Sequence, residues 1–151
     1  GSLDFSKYNI TEEQVLLKYQ GALIDETNSQ ISYVTAEEPQ NGFTFYTFKE
    51  GNNQIGQIAL RHNNENYIDA INILSPDIEF HRTMFKLIYP TEKDETIQML
   101  IDSLQPNSTS VKFLHIDTMY YDMSHLPNSN NYLTYITSDE SYVKKKEQDF
   151  N

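Results

Sequence analysis

The chain has 151 residues, enough for one domain with its own core, and no cysteine, which excludes a disulfide framework, a thiolate metal site and a cysteine nucleophile. Its 22 acidic and 11 basic residues give a net charge of −11. That balance argues against unaided binding to nucleic acid or to an anionic membrane, because both need clustered Lys and Arg, and it leaves a basic partner, a cation or plain solubility.

Residues 1–10 are polar and mixed and are expected to form a flexible end. Gly1-Ser2 reads as a cloning scar, so the absence of a targeting segment or anchor from the sequence says little about location. Thr11-x-x-Gln14 is a capping-box pattern, with Glu12 and Glu13 at the positive end of a helix dipole. Val15, Leu16, Tyr19, Ala22 and Leu23 then share one face, which predicts an N-terminal helix. Asp25 to Gln30 is a turn cluster, and Ile31 to Thr35 alternates like a strand. Pro39 lies beyond that strand, and Asn41-Gly42 is a strong hairpin signal.

The stretch 43–74 predicts an antiparallel meander. Phe43, Phe45 and Thr47 alternate with Thr44, Tyr46 and Phe48, so both faces carry aromatics. Turns are expected at Glu50 to Gln54 and at Asn63 to Asn66. Ser75-Pro76-Asp77 ends the meander, and two helices over about 79–104 follow. Phe80, Met84, Leu87 and Ile88 mark the first, which Pro90 stops. Thr91-x-x-Asp94 opens the second, whose stripe is Ile97, Leu100, Ile101 and Leu104. Val111 to Tyr121 reads as one strand, His125 to Asn131 as a loop, and Tyr132 to Thr137 as the last strand. Residues 144–151 read as a frayed helix or tail. The expected class is α+β: one domain over 1–151, with a mostly antiparallel sheet of about six strands, an N-terminal helix and two later ones.

No G-x-S-x-G elbow, glycine-rich phosphate loop or H-E-x-x-H motif is present, so the sequence implies no cofactor and no metal. His62, His81, His115 and His125 read as ordinary surface or edge residues, although His115-x-Asp117 places two ligand types on one strand face. Asp117, Asp122, Asp139 and Glu140 could serve as acid and base or bind calcium, but nothing in the sequence fixes their separation. Asp25 to Ser29 is a solvated acidic turn rather than a calcium loop, since it lacks the glycine and distal glutamate of an EF-hand. Asn9-Ile10-Thr11 and Asn107-Ser108-Thr109 match the glycosylation sequon.

With 11 tyrosines and 8 phenylalanines, aromatic residues are the feature that points to a site. Most are expected to form cross-strand pairs and core. Tyr46, Tyr67 and Tyr135 are the candidates for an exposed partner-binding surface on a sheet face that the helices leave open.

Ile68 to Pro76, Met84 to Pro90 and the helix from Thr91 to Leu104 resemble a type of small extracytoplasmic lipoprotein-like domain of low-GC Gram-positive bacteria. The resemblance covers about a third of the chain and carries over no functional residue. It implies an extracytoplasmic location with a lipid anchor on a cysteine that this sequence does not contain. From the acidic balance, the tyrosine-rich strands and the absence of a catalytic motif, the expected function is a non-enzymatic extracytoplasmic binding domain, of immunity or accessory type, for a basic protein partner. The expected partner set includes no nucleic acid and no direct membrane insertion. The alternatives are an intracellular acidic inhibitor mimicking nucleic acid, and a hydrolase or small-ligand carrier with its site between sheet and helices.

Overall fold

The computed structural model describes residues 16, 31–35, 42–62, 68–88, 93–104, 112–116, 119–126, 129–137, 141, 144–145 and 148. Four strands come first: β1 (Ile31–Thr35), β2 (Thr44–Glu50), β3 (Asn53–His62) and β4 (Ile68–Ser75). Two helices follow, α1 (Ile78–Ile88) and α2 (Asp94–Asp102), and then β5 (Lys112–Ile116), β6 (Met119–His125) and β7 (Tyr132–Thr137). All seven strands lie in one sheet in the order β1-β2-β3-β4-β7-β6-β5, and every described pairing is antiparallel. The fold is α+β, as the pattern predicts.

Three local readings change. The stretch Val111 to Tyr121 is not one strand, because the chain reverses between Ile116 and Met119, which pair with each other. No Gly or Asn marks that reversal, so an apolar run hid a hairpin and the sheet has seven strands rather than six. The β1–β2 hairpin exists, but Asn41-Gly42 is not its two-residue loop, since Thr35 pairs with Tyr46. Gly42 still has the positive φ of 80° that a residue without Cβ adopts freely. In the β2–β3 hairpin, Glu50 pairs with Asn53, so the turn is Gly51-Asn52 and is tighter than expected, with Gly51 at φ 61°.

Both helices pack on one face of the sheet. Phe48, Ile58, Leu60, Ile71, Ile73 and Ile136 rise from the strands to meet Phe80, Met84 and Phe85 of α1 and Ile97, Leu100 and Ile101 of α2. Full burial of one such side chain contributes about 1.5–3 kcal/mol. Leu16 is helical, buried and part of this same core; the rest of the expected N-terminal helix lies outside the described residues. α1 begins where Asp77 Oδ1 accepts the Glu79 N–H at 2.9 Å. α2 starts after Lys93, whose side chain makes no capping bond, and Thr91 lies outside the described residues. Ser141, Lys144, Lys145 and Gln148 are helical and exposed.

Gly56 explains how α1 sits so close to the sheet. A Cβ there would fall 2.5–2.7 Å from three ring carbons of Phe80. The ring occupies the space that a side chain on β3 would fill, and it meets Phe48 edge-on at 6.1 Å.

Candidate functional site

Ser75, His81 and Thr134 come together, and all three are buried. Burial of His81 comes from its position on α1: it sits beside Phe80 on the stripe continued by Met84 and Phe85. This overturns the expectation of a surface histidine. The Ser75 carbonyl can only accept, so His81 Nε2 carries the proton and donates across 3.2 Å. Nδ1 then accepts from the Thr134 hydroxyl at 3.0 Å. Phe80 and Tyr132 flank the imidazole at 6.5 and 6.2 Å. Burial pushes the His81 pKa down from 6.5 to about 4, and hydrogen bonds with the Ser75 and Tyr132 backbone and the Asp77 charge offset this only in part. The ring is neutral at pH 7.

This cluster is not arranged for nucleophilic catalysis. The Ser75 hydroxyl donates to the Ile55 carbonyl at 2.7 Å and accepts the Asp77 N–H at 3.0 Å. Its proton is therefore committed to a carbonyl, and the imidazole holds its backbone rather than its Oγ. Ile55 is the extra residue where the β2–β3 register shifts between Phe48 and Lys49. The cluster thus ties a bulge, a helix start and two strands together. The spacing of His81 from Phe80 and Met84 is the signal in the sequence for its burial.

The three candidate tyrosines do not form one surface. Tyr46 pairs with Ile58, Ile58 with Ile73, and Ile73 with Thr134, so Tyr46 points to the helix side. Tyr135 pairs with Asn72, one position along, and points to the other side. Both are buried, at 7% and 4% exposure, so neither supplies the exposed aromatic area that was expected. Tyr46 packs edge-on against Tyr33 at 5.8 Å, and Tyr135 against Phe43 at 6.3 Å. Arg61 lies over the Phe43 ring, 5.4 Å from its centre. Tyr67 lies outside the described residues, as do Asp117, Asp139, Glu140, Asp25 to Ser29 and both sequons. Of His115 and Asp122, only the places on β5 and β6 are described.

An accessible surface does exist on the sheet face turned away from α1 and α2. Val34 pairs with Thr47, Thr47 with Gln57, Gln57 with Leu74, Leu74 with Leu133, and Leu133 with Ser124. These residues make one row across six strands, about 24 Å long at the usual strand spacing. Val34 is 52% exposed and the other five are half-buried. The next rows toward Arg61 contain buried Ala59, Ala70, Tyr135 and Thr137. Exposure therefore rises toward the row from Val34 to Ser124. The row carries no charge, and Gln57 Nε2 donates to Thr47 Oγ1 at 3.3 Å within it.

A second depression, of about 460 Å³, lies between the helices and is lined by Arg82, Lys86, Asp94, Glu95, Ile97 and Gln98. Arg82 crosses it, bound to Glu79 and to Gln98 Oε1. Its mixed charges select no ligand sign. Among the described residues no three His, Cys, Asp or Glu group to hold a metal ion, and no helix is long and apolar enough to cross a membrane. No family model, curated protein or solved structure matches this chain.

Proposed function

We propose that this chain is a non-enzymatic protein-binding domain that holds a basic partner against the sheet face turned away from the helices. The observation that carries the reading is the uncharged, accessible row from Val34 to Ser124, set in a chain of net charge −11. Leu74 and Leu133 at its centre offer apolar area, and Gln57, Thr47 and Ser124 offer hydrogen-bonding groups, the mixture typical of a non-obligate interface. The net charge of −11 speeds encounter with a basic protein and disfavours acidic ones. An extracytoplasmic setting is carried by the resemblance of residues 68–76 and 84–104, an immunity or accessory role by the acidic balance and the tyrosine-rich strands, and both belong to this same proposal.

The test is capture from an extract of the cells that make the protein, with wild type and the Leu74→Arg/Leu133→Arg variant immobilised side by side. A partner held by wild type and lost by a variant of unchanged melting temperature supports the row. Equal capture by both would reject it. Recovery of the native protein from the cytosol alone would remove the extracytoplasmic part.

A further inference from the structure

His81 holds the sheet from behind the open face. Leu74 and Leu133, paired at the centre of the row, point away from the helices. On the helix side, Ser75 follows Leu74, and Tyr132 and Thr134 flank Leu133. The imidazole grips these neighbours: Nε2 donates to the Ser75 carbonyl, and Nδ1 accepts from the Thr134 hydroxyl. One fully buried side chain of α1 thus clamps both strands of the β4–β7 seam behind the two leucines.

The clamp suits the neutral ring only. A proton on Nδ1 turns an acceptor into a donor aimed at a hydroxyl that already donates to it, so the Thr134 bond must reverse. It also puts a charge in the core, and the charged and titratable groups around the ring hold that charge poorly. Asp77, on the link from β4, is the one whose charge acts on the ring, and its Oδ1 is occupied by the Glu79 N–H. Glu79 and Arg82 of α1 pair with each other. Asp94 and Glu95 of α2 line the depression beside Arg82 and Lys86. Tyr132 of β7 presents its ring, and His125 of β6 meets that same ring edge-on at 5.0 Å, where a proton would add a like charge. A buried charge without a close partner is costly, and hydration relieves it. Pro76 and Asp77, next to Ser75, are exposed, so the start of α1 borders water.

We infer that protonation of His81 opens the first turn of α1 and loosens the β4–β7 seam behind Leu74 and Leu133, so that acid releases the protein held on the open face. This rests on the protein-binding reading above and adds how that site is regulated. Burial keeps the ring neutral until well below pH 7, so the clamp is shut in a neutral medium. An opened cluster regains an ordinary imidazole, and acid therefore draws molecules toward it.

Backbone amide exchange of the full chain, without a partner, tests the clamp. The reporters are the Asp77, Glu79 and Phe80 amides, bonded to Ser75 Oγ, Asp77 Oδ1 and the Asp77 carbonyl. From about pH 7 to about pH 5 their protection should fall at least about tenfold relative to the β2–β3 hairpin. His81→Gln offers a donor to Ser75 and an acceptor to Thr134 but takes no proton, and should keep its protection over the same range. An equal loss in His81→Gln would overturn the inference, since the Asp77 cap would then be the acid-sensitive part. So would no loss in wild type, or a loss spread evenly over every strand, which is global unfolding. The second arm uses the protein that wild type retains in the capture experiment. A wash at about pH 5 should elute it at least about tenfold faster from wild type than from His81→Gln, whose carboxylates titrate alike. Equal elution from both would overturn the regulation and leave the protein-binding reading in place. A wild type that captures nothing, yet shows the exchange difference, would remove that reading and keep the clamp.

Discussion

His81 fixes how the core responds to acid. Its pKa is about 4 in the folded protein against 6.5 in the unfolded chain. Between those values the unfolded state binds a proton that the folded state refuses, so stability falls as pH falls. The contribution is fully present above about pH 6.5, is lost down to about pH 4 and is level below that, for a total on the order of 3 kcal/mol. Urea unfolding at a series of pH values checks this, and His81→Gln should flatten the slope in that window; an identical slope in the variant would place the effect elsewhere. Gly56 makes the second case. Gly56→Ala would set a methyl group against the Phe80 ring, and overpacking of this kind costs about 1–3 kcal/mol. An unchanged urea midpoint would mean that α1 shifts freely on the sheet. The role of Gly56 was not visible in the sequence, because its partner is brought to it by tertiary packing alone, and that of His81 showed only as a place on the apolar stripe of α1.

At the level of elements, the stripe of α2 is structural, as its spacing predicts: Ile97, Leu100 and Ile101 are buried while Met99 on the same helix is 44% exposed. Leu100→Ala should cost about 2–5 kcal/mol and Met99→Ala under about 1 kcal/mol in the same denaturation assay. Comparable losses at both positions would contradict the buried face. Ser75→Ala strips the Ile55 carbonyl and the Asp77 N–H of a partner at once. A loss of about 1–3 kcal/mol is expected, with α1 more affected than α2 in exchange protection. Strands and helices with a clear period were legible from sequence: β2 to β4, β7 and both helix stripes. The break between β5 and β6 was not, since Phe113 to Tyr121 is apolar and aromatic on both sides of the reversal. The facing of the candidate tyrosines was not legible. A shift of one position moves Tyr46 to the core side, and only pairing registers that span the sheet decide it.

For the whole molecule, charge and core pull in opposite directions on acidification. As pH falls from 7 toward the isoelectric point near 4.6, self-repulsion of the −11 charge relaxes and favours the compact state, while His81 disfavours it. The same net charge should make association with a basic partner fall as salt rises; stopped-flow rates at low and high ionic strength check this, and salt-independent rates would reject the electrostatic part of the proposed function. Among the described residues, strands pair with neighbours in sequence everywhere except at one seam, where Ser75 meets Tyr132 and Ala70 meets Thr137. Each meander can close over short loops, whereas this seam must bring together segments separated by both helices and another hairpin. Loop closure of that length is the slow step in building a sheet. The time the protein takes to fold is therefore set in the middle of its sheet, at β4 and β7, and not at its outer strands.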